Sequence, residues 1–235
     1  MRILVLNPNT SAAVTARIRG VVDRLKHPDS DVTVAQIAHG PRVLESSYDE
    51  ALAIPHVLEA VTNANAQGFD AIIIAAFCDP GLDAAREISS VPVYGLEETT
   101  CAAALMLGNR FGILTEHAHK VAVKQQHMRR HGLEQRFASV RPVGMGVEAI
   151  ADEPERVKRV GIEVARRMVE EDGAEVIVLG CASMAGHGAS LEQALNVPVL
   201  DPIAVTLKVV EGLTAIGVRH SKRGLYATPV AQQVT

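Results

Sequence analysis

Residues 68–76 (GFDAIIIAA) align without a gap on residues 173–181 (GAEVIVLGC), an offset of 105 residues. Further along, VPVYG at 91–95 resembles VPVLD at 197–201, an offset of 106. The first offset also sets Asn7–Thr10, behind the first predicted strand, opposite Gly112–Thr115. A short apolar run with no polar alternation suits a parallel sheet covered on both faces. Repeating such a run with its flanking loops implies two halves of one fold, related by a pseudo-twofold axis. Ligands of open parallel sheets bind beyond the carboxyl ends of the strands. If those ends face each other, both halves supply one cleft.

Between these anchors, β-branched runs alternate with stretches of helical period. Strands are predicted at Ile3–Leu6, Val32–Ile37, Ala71–Ala75 and around Val93, and again at Phe111–Leu114, Phe137–Arg141 and Val176–Leu179. Helices are predicted over Ser11–Leu25 with Thr10 or Ser11 as N-cap, over Leu82–Ile88, over Ala118–Arg130 closed by Gly132, and over Pro202–Ile216. Tyr48–Gln67 has helical period but contains Pro55, which predicts two helices there. Asp152–Asp172 predicts one long helix, with Asp152 and Glu155 in capping-box spacing and Gly173 as its stop. The polar tail after His220 is expected to be loosely held. The fold class is therefore α/β: two pseudo-symmetric doubly wound parallel-sheet domains with the active site between them. The first domain is expected to span residues 1–97 plus 204–235 and the second 98–203, because Pro202–Ile216 has no equivalent role in the second half.

Composition narrows the function classes. The chain has 235 residues, 48% hydrophobic and 21% charged, enough for one large or two small cores. Tryptophan is absent, so the core must be aliphatic. A net charge of −4 with dispersed charges gives nucleic acid no basic stripe to bind. The apolar runs are too short to span a bilayer, and the N-terminus MRILVLNPNT lacks a signal-peptide core. Three cysteines without a CxxC pair are expected to be free thiols in the cytoplasm. Nine histidines show no HExxH spacing, and no GxGxxG or P-loop occurs, so neither metal nor cofactor is expected. The expected partners are a small-molecule substrate and further copies of the chain as a homo-oligomer.

The candidate chemistry lies where strands end. Cys181, in VLGCASMAG, follows an apolar strand and precedes small residues. There a thiol can enter the crevice, with the N–H groups of Ala182 and Ser183 aimed at an oxyanion. A free cysteine is also among the most often buried residue types, but its position favours function. No lysine neighbours Cys181 in sequence, so its activation falls to helix N-terminal dipoles and backbone donors. Cys78, in AAFCDPG, also follows a strand, with Asp79 and Pro80 opening the next helix. It is either a second thiol across the cleft or an idle loop cysteine, and both readings are open. Cys101, in TTCAAALM, reads as core. Asn9 and Thr10 suit a turn and N-cap and can also hold a polar ligand. Glu97 and Glu98 read as charges at a helix N-terminus. His117, His119, His127 and His131 read as a solvated face.

NPNT at 7–10, YDEALAIPHVLE at 48–59, DPGLDAARE at 79–87 and VLGCASMAG at 178–186 together resemble the hydantoin and allantoin racemases of the aspartate/glutamate racemase superfamily. The resemblance runs from Arg2 to about Val218. It implies two pseudo-symmetric α/β domains, no cofactor, and two cysteines on opposite faces of the substrate. One thiolate takes the proton from the stereogenic carbon and the other thiol returns it from the far side. The ring carbonyls of a hydantoin acidify that C–H when N–H donors stabilise the enolate.

The chain departs from this pattern at one position. Both the resemblance and the repeat put the partner of Cys181 at position 76, which is Ala76. The nearest thiol, Cys78, is two residues further on, about 6–7 Å along an extended chain. Three accounts are open. Cys78 replaces the missing thiol; the chain is a one-thiol relative, as the arylmalonate decarboxylases of this superfamily are; or Ala76 was introduced into a racemase to trap substrate. The expected activity is racemisation of a 5-substituted hydantoin or an allantoin-like cyclic ureide, with Cys181 and Cys78 as acid and base. Asn9, Thr10, Ala76, Phe77, Thr115, Ala182 and Ser183 are expected to line the pocket. No clamp for an amino acid's carboxylate and ammonium groups stands out. A one-thiol decarboxylase or lyase acting through Cys181, or a small-molecule binding protein, are the alternatives.

Overall fold

The computed structural model describes residues 1–230. Strands β1 (Arg2–Asn7), β2 (Asp31–Gln36), β3 (Ala71–Ile74) and β4 (Val93–Gly95) form a parallel sheet in the order β2-β1-β3-β4. Strands β5 (Phe111–Thr115), β6 (Phe137–Pro142), β7 (Val176–Leu179) and β8 (Val199–Leu200) repeat it in the order β6-β5-β7-β8. Alternate residues of the first sheet serve different layers, as a pleat requires. Leu4, Leu6, Ile72 and Ile74 pack with Val57 and Val61, whereas Ile3, Val5 and Ile73 join a core that continues through the second half.

The registers define the pseudo-symmetry. Beyond the last pairs, Leu6 with Ile74 and Leu114 with Leu179, the Ala75 N–H donates to the Leu6 carbonyl (2.8 Å) and the Gly180 N–H to that of Leu114 (2.7 Å). The next residues, Ala76 and Cys181, therefore occupy equivalent positions. The offset of 105 does not extend to the first strands. Ile3 pairs with Ala71 but Phe111 with Val176, so the connection is three residues shorter in the second half. Asn7 is thus the counterpart of Thr115, not of Gly112.

The helices follow the predicted alternation with informative exceptions. Helix α1 (Ala12–Leu25) starts at Ser11, whose hydroxyl accepts the Val14 N–H. Helix α2 (Ser47–Ala66) is continuous through Pro55 rather than split. The carbonyl freed at exposed Ala51 can turn to water, while Ala53, Val57, Val61 and Ala64 bury one continuous face. Helices α3 (Leu82–Ile88), α4 (Leu96–Ala104) and α5 (Lys120–Arg130) follow. The long helix predicted from Asp152 is instead two, α6 (Val147–Asp152) and α7 (Pro154–Glu170). Proline disfavours helical backbone at the residue before it, and here Glu153 (φ −117°, ψ 62°) leaves the helix between α6 and α7, so no capping box forms. Helix α8 (Gly188–Leu195) precedes β8, and α9 (Pro202–Ala215) closes the fold by packing on α1, α4, β3 and β4.

Between His220 and Tyr226 the tail is better anchored than its polarity suggests, and residues 231–235 lie outside the described residues. His220 Nε2 lies 2.8 Å from the Val93 N and 2.7 Å from its O, and the Tyr226 hydroxyl accepts from Arg86 (3.0 Å). Among the described residues no helix is long and apolar enough to cross a membrane.

Candidate active site

The carboxyl ends of β3 and β7 approach the same cavity, which holds about 420 Å³ of empty space including its open mouth. Ala76, Phe77 and Cys78 line it from the first half; Gly180, Cys181, Ala182 and Ser183 line it from the second. A side chain at Gly180 would press on the Leu114 carbonyl oxygen (2.7 Å from a Cβ), so glycine lets the chain pass β5 closely and release Cys181 into the cavity.

Cys181 is 8% exposed, and its sulfur lies 2.9 Å from the Ser183 hydroxyl. Burial first, and then the nearby Glu116 carboxylate, push its pKa up to about 12. The hydroxyl and backbone N–H of Ser183 and the charge of Lys124 act against that rise. The expected helix dipole is absent: only a 3-10 turn, Ala182–Met184, follows Cys181. Local backbone and side-chain donors, together with a lysine distant in sequence, replace it.

Cys78 is half-buried. Burial, followed by Glu50, drives its thiol well above the ordinary range, and Lys124 and Lys120 oppose this. The next residue, Asp79, has a left-handed backbone (φ 47°), uncommon for a residue with a side chain. Its carboxylate does not open the next helix in sequence. It accepts the N–H groups of Glu97 (3.0 Å) and Glu98 (2.9 Å) at the start of α4. Gly95 makes room, because a Cβ there would lie 2.3 Å from that carboxylate. The second half uses the reverse arrangement. Asp201, the N-cap of α9, accepts from Gly186 in the loop after Cys181, as well as from Ile203 and Ala204. In both halves one aspartate ties the cysteine-bearing loop to the helix after the fourth strand.

The lysines were hidden by their position in the chain. Lys120 and Lys124, one turn apart on α5, are 3% and 2% exposed and line the cavity. Lys120 pairs with Glu50 (2.9 Å) on α2. Lys124 pairs with Glu97 (3.1 Å), donates to the Phe77 carbonyl and lies 4.8 Å from the centre of the Phe77 ring. These contacts cross from the second half to the first, beside the Phe77–Cys78 segment. Burial alone would lower the Lys124 pKa, but Glu97 and Cys78 reverse that and raise it.

Glu97 is 1% exposed and forms part of this buried network, beyond any dipole role at the start of α4. His127 joins it, with Nδ1 2.8 Å from a Glu97 oxygen, so the histidines do not form a simple solvated face. His119 similarly meets the Glu45 carbonyl (2.7 Å). An i,i+4 lysine pair on a helix with little apolar face was the available signal, but exposure was its ordinary meaning.

Asn9, Ala76, Phe77, Cys78, Cys181, Ala182 and Ser183 line the cavity. Thr10 and Thr115 fall outside its lining. The Thr10 hydroxyl turns to the Pro41 carbonyl (3.4 Å). Thr115 is fully buried and donates to Glu116 (2.8 Å), which lines the cavity in its place. Cys101 is fully buried in the core.

The Asp/Glu/Hydantoin racemase family model matches residues 3–210. A hydantoin racemase of Pseudomonas sp. (strain NS671) is 37% identical, covering 97% of this chain and 92% of its own. A hydantoin racemase of Paenarthrobacter aurescens is 35% identical over 99% of both. Among solved structures, an allantoin racemase from Klebsiella pneumoniae superposes with a TM-score of 0.93 at 35% identity, covering 97% of this chain and 94% of its own.

Proposed function

The chain belongs to the Asp/Glu/Hydantoin racemase family, and from that premise we propose that it inverts the stereocentre of a 5-substituted hydantoin or an allantoin-like ureide without a cofactor. The observation that carries this reading is the shared cavity, with Cys181 and Cys78 supplied by opposite halves. Inversion needs a base on one face of the carbon and an acid on the other. One thiolate takes the C5 proton, and the C–H electron pair moves into the adjacent carbonyl as an enolate. The other thiol then gives its proton to the opposite face and becomes the thiolate. Backbone N–H groups of Ala182 and Ser183 offer donors for the enolate oxygen. Lys124 and Lys120 favour the thiolate at Cys78 electrostatically, and Lys124 does so at Cys181.

Proton exchange tests the assignment. In deuterated water the native chain should exchange the C5 proton of both enantiomers of a hydantoin and interconvert them. Cys78→Ala and Cys181→Ala should each abolish interconversion, while either could still exchange one enantiomer with retention. Full racemase activity in Cys78→Ala would remove Cys78 from the mechanism.

The equivalence of Ala76 and Cys181 favours a second reading, in which Cys181 alone protonates a carbanion left by decarboxylation. Under that reading Cys78→Ala leaves activity unchanged, and Ala76→Cys creates or greatly raises racemisation.

A further inference from the structure

Glu116 is the acidic group of the inner cavity that is not explained by a partner across the cleft. It is 5% exposed and lies at the carboxyl end of β5. It lines the cavity beside Cys181. One carboxylate oxygen accepts the Thr115 hydroxyl (2.8 Å), while the other has no hydrogen-bond partner among the described residues. That second oxygen is not sealed from solvent, and Glu116 lines the cavity. The two cavity lysines are engaged elsewhere, Lys120 with Glu50 and Lys124 with Glu97 and the Phe77 carbonyl. Among the described residues no cation lies within 4 Å of Glu116.

A buried carboxylate is costly unless hydrogen-bond donors surround it. Here the fixed hydroxyl of Thr115 supplies one donor and sets the orientation of the other oxygen. A cavity occupant with an N–H beside the reacting carbon would complete the set. A ligand presenting only a carbonyl or ether oxygen there would meet repulsion.

We infer that Glu116 is a specificity-determining residue that accepts the ring N–H adjacent to the stereogenic carbon, selecting cyclic ureides over imides that carry a methylene in that place. The inference rests on the ureide reading above and deepens it. The contact also fixes the ring's orientation, because a hydantoin has two chemically distinct N–H groups and only one adjoins the stereogenic carbon. Discrimination of this kind is strong because the analogue lacking the donor leaves a buried acceptor unpaired.

Binding of two probes without an exchangeable C5 proton tests this separately from racemisation. In 5,5-dimethylhydantoin the N–H is present; in 3,3-dimethylsuccinimide a methylene replaces it and the other ring groups are retained. Calorimetry on the native chain should show the hydantoin binding at least about tenfold more tightly. Glu116→Gln should weaken the hydantoin about tenfold and leave the succinimide nearly unchanged. For a racemisable hydantoin, the same variant should raise KM more than it lowers kcat. Equal binding of the two probes to the native chain would overturn the inference, as would equal weakening of both by Glu116→Gln. The native-chain comparison is decisive even if the variant fails to fold. If the hydantoin shows the expected preference but no racemisation occurs, the catalytic reading falls and the recognition by Glu116 stands.

Discussion

At the scale of single residues, the three thiols occupy three environments despite similar chemistry. Cys78 is half-buried, Cys181 is 8% exposed and Cys101 is fully buried. Burial raises the pKa of all three, so access rather than a depressed pKa should order their alkylation. Iodoacetamide should modify Cys78 fastest, Cys181 more slowly and Cys101 scarcely at all, read by peptide mass spectrometry. Because Cys181 sits near 12, its thiolate fraction and hence its rate should still be climbing about tenfold per pH unit between pH 7 and 9. A plateau near pH 7 would show a thiol activated far beyond its surroundings in the empty cavity. The positions of Cys78 and Cys181 at strand ends were legible from the apolar runs before them. Lys124 and Glu97 were not, because pairing between residues 27 positions apart leaves no periodic trace.

At the scale of elements, the segment after β3 is held by α4. Asp79 spans from one to the other, and Gly95 supplies the necessary space. Gly95→Ala should displace the carboxylate, removing the cap on α4 and costing about 1–3 kcal/mol, measurable by urea unfolding. The same substitution should change the alkylation rate of Cys78 and leave Cys181 near its native rate. Unchanged stability would mean that Asp79 can shift freely, contrary to a clamp. The elements themselves were largely visible in advance through strand runs and glycine stops such as Gly132 and Gly173, both in the left-handed region. Two departures trace to proline. Pro55 was absorbed because its helix has a buried face to anchor it, whereas Pro154 ended one helix and began another.

At the scale of the whole molecule, α9 follows β8 as α4 follows β4, so it has an equivalent in the other half after all, and it packs back on α1, α4, β3 and β4. The proposed division assigns it, from residue 204, to the first domain of residues 1–97 and leaves 98–203 as the second. Ile203, Leu207 and Val210 of α9 are 2%, 0% and 0% exposed. Burying three such side chains is worth on the order of 5–9 kcal/mol, comparable to the whole stability of a domain. A chain ending at Asp201 should therefore lose its cooperative urea transition. Retention of a native-like transition would show that α9 is an accessory. The repeated apolar runs determined by themselves that two parallel sheets form and that residues 76–78 and 181–183 emerge at their carboxyl ends, because strand pattern and strand direction are local consequences of side-chain periodicity. Only the tertiary structure decided the charges around those ends. Glu116, Lys120, Lys124 and Glu97 became cavity or core groups because packing two halves together withdrew them from water, and desolvation depends on what surrounds a side chain in space, not on its neighbours along the chain.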